Sequence, residues 1–486
     1  MNFERIGYLV FRATRWLTVF AVLALVWRRN AFINFGVYIP TLKPTDVLVP
    51  IALLGALAAW VLAPSIRNHI ARNAFMRVWI GRLGMLLVFF AVGSLWAFVA
   101  RGHSPTLLEA GQYIRIGIGM GAFLLVCFVG YGNTRYLRAL SYALLGTVAL
   151  VPLLFVPEER ILSWFLVVSP SGYTFLGFQP STLVMGSFLM PSILLFLSLW
   201  MTDRTRKKHI FWLVALLLTS LMLWTGARSA WFATFVGIVG MLWILWRQSR
   251  NHRELFLRIG AVLVLFLGAL LLLRPLARNT ALVRIFRHLD VPTHVSREIL
   301  EKLASLPRLQ GFEGIEYSLL RLPTRLFFEV ARPSPGIEFV DGRGKIWAEY
   351  ATAVLHNPLG VGPDYPTVFR DNPPSYLNGA VSIRRQAGAH SLWLQVALAG
   401  GIGGLLYFLL AVARVGKQAY TLSSKAKDHF ALWLWGVFVG TAVMVSFVDA
   451  LEFRWAWVVM ALIVTAYENQ LRGSGEERLL PVSETK

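Results

Sequence analysis

Ala387-Gly388-Ala389-His390-Ser391-Leu392-Trp393-Leu394-Gln395, continuing as Val396-Ala397-Leu398-Ala399-Gly400-Gly401-Ile402-Gly403-Gly404, is the stretch on which the reading of this chain turns. Behind it lies a long polar segment, and ahead of it an apolar run rich in Leu, Ala and Gly, so the imidazole stands where a membrane helix begins. The positive end of that helix's dipole disfavours an imidazolium. A neutral ring can accept a proton, which makes His390 a candidate general base. The alternative is a helix-capping or interfacial histidine.

Composition agrees with a membrane helix at this point. The 486 residues are 56% hydrophobic and 15% charged, with a mean hydropathy of +0.60, far from the quarter of charged residues usual in a soluble domain. Apolar runs of roughly 20 residues, enough to cross a bilayer, recur throughout, and runs of this length exclude a barrel of alternating strands. The single cysteine, Cys127, lies inside an apolar run, so neither an intrachain disulfide nor a cysteine-based metal site is expected. The net charge of +22 falls mainly in short loops, where it reads as topology signal and lipid-headgroup contact rather than as a nucleic-acid surface. The N-terminal apolar stretch lacks a cleavage pattern and reads as a retained first span.

The hydropathy pattern predicts an all-α integral membrane protein of about twelve helices. The expected spans are Phe11 to Trp27, Val47 to Leu62, Ile80 to Ala100, Ile114 to Tyr131, Leu137 to Val156, Leu183 to Met201, Phe211 to Trp224, Ser229 to Trp246, Leu257 to Leu273, Ser391 to Val412, Phe430 to Val448 and Trp455 to Tyr467. Every second short loop is basic, for example Arg204, Arg206, Lys207 and Lys208 after the sixth span, which puts both termini in the cytoplasm. The chain then divides into helices 1–9 over residues 1–273, an exoplasmic segment over 274–389, helices 10–12 over 390–470 and a cytoplasmic tail over 471–486.

The exoplasmic segment is too long for an idle connection. Helical spacing of Ile, Leu, Tyr and Phe over His294 to Leu309 and Ile315 to Val330 predicts amphipathic helices on the membrane surface. Arg343 to His356 reads as a third helix, and Asn357-Pro-Leu-Gly-Val-Gly-Pro-Asp364 as a turn-rich stop.

Two arginines on the same membrane side as His390 are candidates for anion binding. Arg228 lies in the turn Thr225-Gly-Ala-Arg-Ser-Ala-Trp231, where an eighth helix starts and its unpaired backbone N–H groups join the guanidinium. Arg343 opens the third loop helix, and Arg384 and Arg385 add positive field beside His390. Phosphate or pyrophosphate is the natural guest of such a set. Other chemistries fit worse: Gly226 to Ala230 only brushes a nucleophile-elbow pattern, no metal spacing is present, and neither a phosphate loop nor a dinucleotide fingerprint occurs. The glycines of 400–404 read as close helix packing within a span, and Arg12, Arg15 and Arg115 as residues near span ends, able to snorkel.

Three of these motifs together resemble the O-antigen ligase family, which also embraces O-antigen and exopolysaccharide polymerases and pilin oligosaccharyltransferases. They are the Gly-Ala-Arg-Ser-Ala-Trp turn at 226–231, the helix carrying Arg343 and Trp347 with its Pro358-Leu-Gly-Val-Gly362 stop, and the His390-Ser-Leu-Trp-Leu-Gln395 entry to a Gly-rich helix. The similarity runs from about Leu183 to Leu410. One departure is Gln179-Pro180-Ser181, where the family often has an Asn-Pro-Asn-like stretch.

The resemblance implies an inner-membrane glycosyltransferase that moves a glycan from undecaprenyl diphosphate to a hydroxyl of lipid A-core or another glycan, on the periplasmic face, without metal, nucleotide or other cofactor. Arg228 and Arg343 would then hold the diphosphate, Arg384 and Arg385 would contact acceptor or phosphate, and His390 would deprotonate the acceptor, with inversion at the anomeric carbon. If His390 were only a cap, Asp364 and Asp371 would be the next bases to consider. A polymerase using the same donor is the alternative within the family. A polysaccharide transporter is the alternative from another class, though it would place ionisable groups deep within broken helices.

Overall fold

The computed structural model describes residues 3–23, 44–71, 74–104, 106–142, 166–169, 172–175, 182–203, 208–224, 227–249, 252–273, 339–371, 375–377, 389–425, 428–448, 451 and 454–471. Helix dominates, as the hydropathy pattern requires of a chain that must satisfy its backbone within lipid. The only strands among these residues are β1 (Leu166–Ser169) and β2 (Gly172–Phe175), a small antiparallel hairpin pairing Val167 with Thr174. Among the described residues six helices are long and apolar enough to cross a membrane, and there are shorter apolar helices as well. The chain forms two compact units, Met1–Leu144 with Phe339–Lys486, and Leu145–Glu338.

The first unit contains α1 (Phe3–Leu23), α2 (Pro44–Leu62), α3 (Pro64–Ala71), α4 (Ala74–Arg101) and α5 (Leu107–Gly130). α1 lies against α2 closely enough that a methyl on Gly7 would meet Ala63 at 2.7 Å. α5 begins seven residues before the apolar run that predicted it, because Thr106 caps it: the Thr106 hydroxyl accepts the Glu109 amide at 3.1 Å. A further helical stretch, 134–142, starts at Asn133, whose side chain accepts the Tyr136 amide at 2.8 Å.

Arg15 departs from the snorkelling expected of it. Helix α1 starts at Phe3, which puts Arg15 well inside, with its guanidinium over the rings of Phe11 at 4.7 Å and Tyr136 at 5.4 Å. The spans of this unit also carry more charge than their hydropathy suggests. Arg454 pairs with Asp46 and donates to Thr45, joining the starts of two distant helices.

The C-terminal part of the same unit supplies α10 (Phe339–His356), the short α11 (Tyr365–Asp371), α12 (Leu392–Lys425), α13 (His429–Val445) and α14 (Arg454–Leu471). α12 runs against α4, and α14 against α5. The third loop helix therefore forms as expected, four residues earlier than its predicted start, and the turn-rich stop follows it. The helices expected at His294 to Leu309 and Ile315 to Val330 lie outside the described residues, as do Gln179 to Ser181, Arg384 and Arg385.

The second unit contains the hairpin with α6 (Thr182–Thr202), α7 (Lys208–Trp224), α8 (Arg228–Gln248) and α9 (His252–Leu273). α6 packs on α7 and α8, and α9 on α7. Side-chain hydroxyls in these apolar helices bond back to their own backbone, as Thr219 does to the Ala215 carbonyl at 2.7 Å, which leaves no polar group unpaired at that position.

Candidate functional site

Ten residues into its length, at Gly401, α12 is broken. Gly401 has φ 70° and ψ −172°, a backbone state essentially restricted to glycine, and the residues around it cannot complete the helical ladder. The freed carbonyls of Leu398 and Ala399 would normally accept from the amides four residues on. Instead they accept from the loop after α10, from the Val361 amide at 2.6 Å and the Gly362 amide at 3.1 Å. In return the Ile402 amide donates to the Pro358 carbonyl at 2.9 Å. The Pro358-Leu-Gly-Val-Gly362 stop is thus a backbone plug in a discontinuous helix, which satisfies groups that would otherwise be costly in an apolar interior.

Glycine is required on both sides of this contact. Gly360 has φ 85°, and a Cβ there would stand 2.5 Å from the Gly401 nitrogen; a Cβ on Gly401 would collide with the Pro358 carbonyl oxygen. The expectation of close helix packing holds for the other members of the cluster: Gly400, Gly403 and Gly404 face Phe89 and Phe90 of α4. Gly401 has a different task, the break itself.

The plug fixes the register of α10 against the start of α12. Tyr350 of α10 and Tyr365 of α11 meet edge to face at 5.6 Å. Both belong to one buried cluster with Val361, Phe369, Ala389, Ala397 and Leu398. The Tyr365 hydroxyl accepts the Ala389 amide at 3.3 Å, so the residue preceding His390 is anchored in that core. His390 follows with φ 48°, the only non-glycine positive φ among the described residues. A histidine adopts this left-handed state at some cost. Ser391 then closes the first turn of α12, its carbonyl accepting the Gln395 amide at 2.9 Å. His390 is half-buried and stands two residues before α12, at the helix entrance that the sequence assigns to it.

Other residues of the entry motif hold this end in place. Trp393 donates from Nε1 to the Ser446 hydroxyl at 2.8 Å, and Gln395 Oε1 accepts the Leu451 amide at 3.1 Å, tying the start of α12 to the connection between α13 and α14. Trp347, on α10, packs against Phe447 of that connection at 5.9 Å. Arg343 lies near the start of α10, seven residues before Tyr350. The Trp347 indole N–H and both Glu349 carboxylate oxygens are buried and make no hydrogen bond among the described residues, so this helix has polar capacity to spare.

Two features here were not foreseen. Asn357, read only as the start of a turn, is 2% exposed and acts as a hub. Its amide nitrogen donates to the Ala353 carbonyl at 2.6 Å and the Tyr376 hydroxyl at 2.7 Å, while Oδ1 accepts from Arg101 at 2.8 Å. The second is a buried polar cluster beneath the plug. Asp364 accepts from Thr367 at 3.0 Å and Thr106 at 3.4 Å; Glu109 accepts from Ser94, which also bonds Tyr113 at 2.9 Å. Burial holds the Asp364 carboxyl above the usual carboxylate range, the nearby Glu109 pushes the same way, and Thr367, Thr106 and His103 oppose it. The Thr106-Leu-Leu-Glu109 spacing of a capping box marks this corner in the sequence. The side chain of Asp371 lies outside the described residues.

Arg228 belongs to the second unit and is the first residue of α8. The cap, Ala227, makes no side-chain hydrogen bond, and its carbonyl accepts the Ala230 amide at 3.0 Å and the Trp231 amide at 3.1 Å. Trp231 of the same motif holds the turn, donating from Nε1 to the Met222 carbonyl at 2.9 Å, and Thr234 bonds the Met222 sulfur at 3.1 Å. Among the described residues no three His, Cys, Asp or Glu side chains gather as a metal site would need.

A multi-pass helical membrane protein with a strained histidine at the mouth of a broken helix is the class these features define. Residues 213–409 match the family model described as O-antigen ligase. That range takes in the α8 turn, the Arg343 helix, the plug, His390 and the break at Gly401. The resemblance seen in the motifs is thereby shown over these residues, and it supports ligase- or polymerase-type function in general terms. No curated protein matches the chain.

Proposed function

We propose that the protein transfers a glycan from undecaprenyl diphosphate to a hydroxyl of lipid A-core at the periplasmic face of the bacterial inner membrane. The observation that carries this reading is the setting of His390: left-handed, half-buried, anchored through Ala389 to Tyr365, and placed before α12 on the core that also seats the Arg343 helix. A strained backbone held by its surroundings is a common mark of a working residue.

In this mechanism His390 takes the proton of the acceptor hydroxyl as its oxygen attacks the anomeric carbon. The bond from that carbon to the diphosphate oxygen breaks with inversion, and the electron pair leaves with the diphosphate. Arg228 and Arg343 hold and neutralise that anion, with Arg384 and Arg385 adding positive field. The spare N–H of Trp347 and the carboxylate of Glu349 suit the hydroxyls of a sugar, which would give these buried groups their partners. The chemistry uses no metal or nucleotide.

The test is to incubate purified protein with the lipid diphosphate glycan and lipid A-core, without added metal, and to follow glycan transfer. Ligated lipid A-core is the expected product. Extension of the lipid-linked glycan with no ligation would replace this reading by a polymerase, and no reaction with either acceptor would end it.

A further inference from the structure

At the end of α12 remote from His390, a cleft of about 620 Å3 opens between α4, α12 and α14. It is lined by Arg82, Arg414 and Lys417, with Gln418, Tyr407 and Leu410. Leu392 and Arg414 lie 22 residues apart on α12 with the break at Gly401 between them, and no residue lining the cleft belongs to the buried core around Ala389. This cleft is therefore separate from the site at His390.

Its charge is unbalanced. Arg82 and Arg414 are close enough to repel each other, and no carboxylate among the described residues pairs with either or with Lys417. Arg82 is steadied over the Trp79 ring at 4.7 Å, so a cation is held in the cleft without an anion to hold it. Gln418 Oε1 is buried with no hydrogen-bond partner among the described residues, an acceptor open to a donor. Three cations converging on a concavity with one spare acceptor fit a phosphodiester that carries a hydroxylated headgroup.

The walls decide the source of that phosphate. Leu406, Leu410 and Arg414 follow one another at helical spacing on α12; Leu410 is 72% exposed and Leu406 56%. On α4, Met85 and Val88 continue an apolar exposed surface from Arg82. Acyl chains would lie along these two stripes while the phosphate entered between the cations. We propose that the cleft binds the headgroup of an anionic phospholipid in the leaflet opposite His390.

The test uses the full chain in phosphatidylcholine nanodiscs doped with phosphatidylglycerol, with retained lipid read by native mass spectrometry. The wild type should retain phosphatidylglycerol preferentially. Replacing Arg82, Arg414 and Lys417 by Gln should weaken that preference about fivefold for each cation removed, whereas Arg67→Gln with Arg77→Gln, on exposed positions elsewhere, should leave it intact. If the triple variant does not fold, the single variants are compared with Arg82→Lys and Arg414→Lys, which keep the charge and should keep most of the preference. Equal retention by the wild type and the Gln variants would mean that the cations serve topology alone, and would overturn the proposal. Inorganic phosphate stabilising the protein in pure phosphatidylcholine as strongly as phosphatidylglycerol does would assign the cleft to a soluble anion and would overturn it too.

Discussion

The amide of Ile402, the first residue beyond the break in α12, donates to the carbonyl of Pro358 at 2.9 Å, across a gap of 44 residues in sequence. A loop backbone here stands in for a turn of transmembrane helix, and what it fixes is the end of α10 against the end of α12 that begins beside His390. Irregular backbone survives at such depth only where protein satisfies it.

Gly401→Ala should therefore be severe. The backbone state alone costs about 1–3 kcal/mol for a residue with a Cβ, and the methyl would meet the Pro358 carbonyl oxygen as well. Gly403→Ala meets only the Phe89 ring edge at 3.1 Å and should be much milder. Thermal unfolding of the two variants in detergent makes the comparison. Equal losses would show that the cluster serves packing alone.

Asn357→Ala removes an acceptor from Arg101 and two donated bonds, one of them to Tyr376, whose ring stacks on His356 at 4.0 Å. A hydrogen bond to a charged group contributes about 1.5–3 kcal/mol, so a loss of at least that size is expected in chemical unfolding. Asn357→Asp, which keeps the acceptor, should recover part of it.

How much of this was open to the sequence depends on the physics of each feature. Helices announced by long apolar windows are found, because burial in lipid demands such runs. Their ends are displaced wherever a polar turn continues the helix, as at Thr106 to Gln112 or from Ala413 to Lys425, since hydropathy falls there while the backbone bonding does not. His390 at a helix entrance was legible from the jump in hydropathy. The break at Gly401 was not, because four near-adjacent glycines look alike until a loop 40 residues upstream supplies the missing backbone partners. Asn357 and Arg101, 256 residues apart, carry no local signal of their union.

The arginines should separate by geometry as well as charge. If Arg228 and Arg343 each contact the donor's diphosphate, as proposed, Arg228→Ala and Arg343→Ala should weaken donor binding and turnover together. The Lys variants should recover only part, since an ammonium cannot reproduce a planar two-pronged contact to phosphate oxygens. Donor binding measured apart from turnover is the check. Full recovery by Lys would reduce either residue to a point charge.

Asp364 gives a prediction in pH. It lies in the loop between α10 and α11, and burial raises its pKa in the folded protein, so the neutral carboxyl is the form the fold favours. Its contribution to stability is fully present below the unfolded value of about 3.9 and is lost as pH rises through the raised folded value. Asp364→Asn keeps a neutral side chain at every pH, and either threonine hydroxyl can turn to accept from the new amide. The wild type should lose stability relative to this variant as pH is raised from about 4 toward neutrality. A difference flat in pH would mean that Asp364 ionises in the fold at no cost.

The decisive variant is at His390, and it has two properties to separate, a proton acceptor and a left-handed backbone. His390→Ala removes both, so lost activity in that variant alone would be ambiguous. His390→Asn keeps a residue that tolerates positive φ while removing the basic ring nitrogen. If His390 is the general base and the arginines hold the diphosphate, both variants should lose about 10²–10⁴-fold in turnover, with donor binding nearly unchanged. The Asn variant should also unfold close to the wild-type temperature. Glycan transfer by the Asn variant at near wild-type rate would leave His390 a structural cap at the helix entrance. The proton would then have to go elsewhere, and Glu349, whose carboxylate oxygens are both buried on the Arg343 helix with no hydrogen bond among the described residues, would be the next group to replace.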